Sequence, residues 1–168
     1  MTVAELTVGT IPTGNGPYIN GTFAPAAYGQ SITPTQTVSG PRFRWLDDKG
    51  NGVAVAGTMA ILTRVYGGLP ADIPSAPGFV ATSSTIDGGT DFVFDESVVL
   101  TQGVKYWFLE STPAQPTVWV DGQLHGIDAY PGGEWYSAGT AGPYIHIISA
   151  FSAADLVDAN FRVSGHPR

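Results

Sequence analysis

The sequence predicts an all-β domain: an antiparallel two-sheet β-sandwich of jelly-roll or Greek-key type, with about ten strands. Three observations carry that expectation. Short apolar runs alternate with a period of two, as a pleated strand requires. The 22 glycines and 13 prolines among 168 residues fall between those runs and read as turns. No stretch sustains a 3.6-residue apolar period; AADLVD at 153–158 is the only helix-like piece.

The chain is organised around residues 91–111, DFVFDESVVLTQGVKYWFLES. Phe92 and Phe94 alternate with Val93 and Asp95, and residues 98–100 close that run. Thr101, Gln102 and Gly103 supply a turn. Residues 104–109 then form the most apolar and aromatic strand. The spacing Leu100, Gly103, Tyr106 fits a tyrosine corner, in which the hydroxyl bonds back to upstream backbone and pins an arch between sheets. Trp107 has apolar residues on both faces of its strand and reads as core.

Taken in order, residues 1–17 are small and Gly/Pro-rich after one strand-like run, AELTV. They read as an arm or linker outside a single sandwich domain of residues 18–168. Such an arm suits strand addition to a neighbour's sheet edge, ordering only against that partner. Its deletion is then expected to leave thermal stability nearly unchanged. YINGTF is a short strand. Residues 29–38 alternate polar and apolar, and Pro34 makes them an edge or outer strand. In PRFRWLDD, Phe43 and Trp45 share the inner face, Arg42 and Arg44 the outer.

DDKGNG at 47–52 is a hairpin turn with Asn-Gly as its signal. Asp47, Asp48 and Asn51 give it a weak calcium-loop flavour, but the distal Glu and flanking helices of such a loop are missing. Residues 53–66 read as two strands or one long strand bent at Gly57. GGLPADIPSAPG is a long connection, and residues 79–86 form a strand. TVWVD at 117–121 places Val118 and Val120 on one face, with Thr117, Trp119 and Asp121 on the other. Residues 122–142 are the longest loop. YIHIISAF and ANFRV close the domain, with Ile145, Ile147, Phe161 and Val163 inward and His146 outward.

Composition narrows the function classes. The formal net charge is −7, and the sequence has no run of Lys or Arg. That predicts neither nucleic acid nor an anionic membrane surface as partner. No cysteine is present, so there is no disulfide framework and no thiolate metal site. The N-terminus lacks the basic and long apolar regions of a secretory signal, and no run of about 20 apolar residues occurs. The reading is a protein made in the cytoplasm.

Chemistry is sparse. His125, His146 and His166 show no metal-ligand spacing, and no nucleophile elbow occurs. Asp121, Asp128 and Glu134 fall in or beside the long loop, where a glycosidase would need two facing carboxylates. Fourteen acids spread over turns produce such a set by chance. The chain therefore reads as non-enzymatic, with no cofactor and no metal beyond the weak calcium pattern.

A binding surface is better supported. Sugars offer apolar C–H faces for aromatic rings and hydroxyls for polar side chains. Trp119, Tyr130, Trp135 and Tyr136 lie near Asp121, His125 and Asp128, the densest set of exposed-candidate aromatics in the chain. The set reads as a glycan site or a protein interface. The competing reading is that Trp135 and Tyr136 tuck under the loop as a satellite core.

The order of GTMAILTRVYGGLP, FVFDESVVLTQGVKYWF, AYPGGEWYSAG and NFRV resembles a loose group of bacterial and phage β-sandwich (jelly-roll) modules. These are met on surface proteins, as carbohydrate-binding-type domains and as virion appendages. The resemblance covers most of residues 57–163 and implies no catalytic residues. Together with the missing export signal, it suggests a phage virion component: a capsid decoration, head or tail fibre protein. Its expected partners are other virion proteins or further copies of itself, with a polysaccharide contact. The alternative is a carbohydrate-binding module of an exported bacterial surface protein or glycoside-active enzyme, located at the cell surface.

Overall fold

The computed structural model describes residues 4–8, 18–20, 27–47, 49–111, 118–121, 130–138, 145–146 and 158–168. These hold β1 (Ala4–Val8), β2 (Tyr18–Asn20), β3 (Ala27–Ile32), β4 (Val38–Trp45), β5 (Met59–Leu62), β6 (Phe79–Thr82), β7 (Thr85–Asp87), β8 (Asp91–Val93), β9 (Val99–Leu100) and β10 (Tyr106–Glu110). Then follow β11 (Val118–Asp121), β12 (Trp135–Ala138), β13 (Ile145–His146), β14 (Asp158–Ala159) and β15 (Phe161–Pro167). One 3-10 turn, η1 (Pro70–Ser75), interrupts them. Nine of these strands have four or more residues; the others are short pairing segments.

The fold is an all-β antiparallel sandwich. Sheet I has the order β1-β15-β4-β8-β7, with β9 also on β4. Sheet II runs β13-β12-β3-β10-β5-β6, and β14-β11-β2 form a smaller third sheet. The chain changes sheet between β3 and β4, β4 and β5, β6 and β7, and β9 and β10. These arches stack the two large sheets face to face.

Aromatic alternation fills the space between them. Phe43 of sheet I stacks on Phe108 of sheet II at 5.2 Å and on Phe161 at 5.7 Å. Trp45 meets Phe43 edge-on at 4.6 Å, and Phe94 meets Phe108 edge-on at 5.8 Å. Phe43, Trp45, Phe92, Phe108 and Phe161 are all fully buried. Each such side chain contributes roughly 1.5–3 kcal/mol through burial. The inward placement of Phe161 and Val163 agrees with the alternation of the last strand.

Sheet II is covered on its second face too. Ala60, Leu62, Leu109, Tyr136 and Ala138 form a separate cluster there, closed by Ile73 of η1. Tyr66 and Trp107 pack at its margin. The Gly/Pro connection of residues 67–78 is therefore a lid on the sheet.

That second layer explains two corrections. Residues 29–38 do not form an edge strand: β3 ends at Ile32 and lies between β12 and β10, buried at all six positions. Pro34 falls beyond its end and removes no ladder bond. The polar residues that suggested solvent contact are satisfied internally: Gln30 accepts from the Ala159 N–H at 2.9 Å and donates to Ser31 O at 3.1 Å. Likewise the strand expected over residues 53–66 is confined to Met59–Leu62. Val53 and Val55 reach Trp45 O and Gly89 O by single backbone bonds, and Gly57 bends the chain at φ 77°.

The 79–86 strand is two strands, with Ser83 and Ser84 crossing from sheet II to sheet I. Residues 153–157 of the helix-like piece lie outside the described residues; Asp158 begins β14. The run AELTV pairs with β15 of its own chain, from Ala4 opposite Gly165 to Val8 opposite Phe161. It supplies an edge strand of sheet I, so a domain boundary after residue 17 cuts across that sheet.

Candidate functional site

The aromatic set predicted as a ligand platform is distributed through the fold. Trp135 is 3% exposed and stacks on Tyr28 at 6.1 Å; Tyr136 is 6% exposed and belongs to the cluster beneath η1. As placed, neither ring faces solvent, so neither offers a sugar-stacking surface. Tyr130 is half-buried, meets Phe161 edge-on, and its hydroxyl accepts the Thr33 N–H at 2.8 Å. Trp119 and Asp121 stand in β11, opposite Ile19 and Asp158. His125 and Asp128 lie outside the described residues.

The loop around these aromatics clamps β12 onto β3. The Thr33 hydroxyl donates to Gly132 O at 2.8 Å, and Ser31 N donates to Glu134 O at 2.9 Å. Gly133 makes this approach feasible: a Cβ there would sit 1.7 Å from Ser31 O. The Glu134 carboxylate accepts from Ser31 Oγ at 2.9 Å and from Lys105 Nζ at 2.6 Å. Lys105 also lies over the Trp107 ring at 5.5 Å. These contacts are structural.

A different constellation forms on the outer face of sheet I. Alternation turns Arg42 and Arg44 of β4 outward, and Arg162, Ser164 and His166 of β15 beside them. In register, Arg162 faces Arg44, Arg44 faces Asp91, and Asp91 faces Asp87. Three of the seven Lys and Arg residues therefore meet on one face. The sequence has no basic run because these residues come from strands far apart in the chain.

Asp91 organises the face. Arg44 grips its carboxylate with Nε and Nη2, the latter at 2.9 Å, and Thr90 Oγ1 adds a bond at 2.9 Å. Arg42 spans Asp87 and Asp91. Burial alone would raise the Asp91 carboxyl. The Arg44 and Thr90 hydrogen bonds and the two arginine charges outweigh it and hold the group below the usual carboxylate range. His166 Nε2 stands 3.2 Å from Glu96 Oε1.

Between these side chains lies an open groove of about 400 Å3, lined by Gly40, Arg42, Arg44, Asp91, Arg162, Ser164, Gly165 and His166. The Glu96 carboxylate lies close over Gly40, where a Cβ would sit 2.7 Å from it. Among the described residues no apolar side chain lines it. Among the described residues no three His, Asp or Glu side chains come together to hold a metal ion. In the 47–52 turn, Asp47 Oδ1 accepts the Lys49 and Asn51 N–H groups, each at 2.8 Å.

Comparison with protein-family models, curated proteins and solved structures finds no match for this chain.

Proposed function

We propose that the chain is a non-enzymatic structural module of a phage virion, a capsid decoration, head or fibre protein, with a surface for host glycans. The observation that carries the assembly reading is the β6 edge. Among the described residues β6 ends sheet II and pairs with β5 alone. It shows Phe79 at 37% and Val80 at 38% exposure. The connection beside it adds exposed Val65 and Leu69. Solitary edge strands are usually blunted by charge or proline. An apolar edge suits contact with another chain.

A second reading, a carbohydrate-binding module of an exported protein, is favoured by the arginine groove on the opposite sheet. Sedimentation velocity of the wild type and Val80→Lys tests the assembly reading. A concentration-dependent oligomer abolished by the charge supports it. Monomers for both proteins, and no incorporation of either into sedimenting particles, overturn it.

A further inference from the structure

We propose that Asn51 is a self-modification site: in the exposed 47–52 turn its side chain cyclises onto the Gly52 nitrogen, sheds ammonia and leaves aspartate or isoaspartate, which opens the turn. This chemistry needs neither the assembly surface nor the glycan contact proposed above.

Backbone bonds close the hairpin at its base. Asp47 N–H donates to Asn51 O at 2.8 Å, Gly50 N–H to Asp47 O at 3.2 Å and Val53 N–H to Trp45 O at 2.9 Å. Leu46 and Gly52 oppose each other in an isolated antiparallel bridge, as a pair that shares no hydrogen bond. The Gly52 N–H therefore points away from β4, and among the described residues it meets no acceptor. Asn51 is exposed, and its amide is held loosely, Nδ2 donating to Asp47 Oδ2 at 3.3 Å. The left-handed position of the turn is taken by Gly50, at φ 81°. Gly52 has no Cβ to keep the Asn51 side chain from its nitrogen.

Asparagine is among the thermolabile residues. When the turn opens locally, rotation about the Asn51 Cα–C bond brings Cγ to the Gly52 nitrogen. The N–Cγ bond forms and the Cγ–Nδ2 bond breaks. The Gly52 amide proton goes to base, and the leaving nitrogen takes a proton from solvent and departs as ammonia. Water then opens the cyclic imide. Attack at Cγ gives aspartate; attack at the main-chain carbonyl gives isoaspartate, in which the chain runs through Cβ and Cγ. Water is consumed, ammonia is released, and nothing is oxidised or reduced. Either product sets a new carboxylate beside Asp47 in place of an amide donor, so a hydrogen bond becomes a repulsion between like charges. Isoaspartate also adds a methylene to the backbone. That shifts the carbonyl that accepts from Asp47 N–H and disturbs the register beside Trp45, whose indole N–H donates to buried Glu110. Asn20 is also followed by glycine, but it lies in β2 opposite Val118, where pairing holds the backbone extended.

The test is incubation of the full chain over days at neutral and mildly basic pH, then trypsin digestion and mass spectrometry, with a digest at time zero as baseline. Cleavage after Lys49 and Arg64 releases residues 50–64, in which Asn51 is the sole amide side chain. That peptide is expected to gain the mass of a hydroxyl in place of an amine, faster at the higher pH and faster than Asn20. Labelling by an isoaspartyl methyltransferase should mark the isoaspartate. In Asn51→Gln, whose longer side chain disfavours this ring, the gain should vanish. The modified protein, separated by anion exchange on its added negative charge, is expected to unfold at a lower urea midpoint. An unchanged mass for residues 50–64 overturns the proposal, as does modification of Asn51 no faster than of Asn20. A modified fraction with the midpoint of untreated protein overturns the opening of the turn. The wild type alone gives these readings, so they stand even if Asn51→Gln does not fold.

Discussion

The Tyr106 hydroxyl accepts the backbone N–H of Thr101 at 2.9 Å, closing the arch that carries the chain from sheet I to sheet II. Gly103 turns that arch at φ 76°, a conformation costly for other residues. The ring of Tyr106 lies in the central core, so one residue both fills the sandwich and ties its corner. Tyr106→Phe keeps the ring and strands a partly buried N–H. It is expected to destabilise the domain by roughly 1–3 kcal/mol, read as a lower urea midpoint at unchanged slope. A midpoint equal to that of the wild type would show that the bond contributes nothing.

Glu110 is wholly buried at the end of β10, where Oε1 accepts the Trp45 indole N–H at 2.9 Å and Oε2 the Tyr28 N–H at 3.1 Å. Burial pushes its carboxyl up to about 8, against the lowering effect of those two bonds. Its pKa is higher folded than unfolded, so the folded state holds the proton longer. This contribution is complete below about pH 4.5, the ordinary value, and is lost as pH rises toward 8. Stability should fall across that window by at most about 1.4 kcal/mol per pH unit. Asp91, shifted the other way, titrates below it. Glu110→Gln offers one acceptor oxygen to two donors and should be less stable at pH 5. The deficit should narrow by pH 8. Parallel urea midpoints for the two proteins from pH 5 to 8 would refute the buried titration.

The pairing of β1 with β15 changes the expectation for the N-terminus. An arm that orders only against a partner could be removed without thermal cost. A strand with five residues in register on β15 cannot, because its loss uncovers the edge of the strand that carries Phe161 and Val163. Deleting residues 1–8 should lower the melting temperature by at least about 3 °C, and a peptide of residues 1–10 added in excess should restore part of it. An unchanged melting temperature would return this segment to the role of a free arm.

Much of the sandwich was legible because alternation is a local property. Phe43 with Trp45, Phe92 with Phe94, Tyr106 with Phe108 and Phe161 with Val163 each lie two apart and all point into one core. The Leu100, Gly103, Tyr106 spacing likewise marked the corner, since its hydrogen bond spans five residues. Strand order and the covering of each face are not local, and tertiary structure decided them. Once η1 lay over sheet II, β3 and β5 became buried on both faces, and Gln30 and Ser31 could look like surface residues while sitting in the interior. Trp135 and Tyr136 followed them inside, one toward each core. The arginine groove exists because β15, the last strand, returns beside β4 and sets Arg162 opposite Arg44, 118 positions away in a chain that shows no basic run.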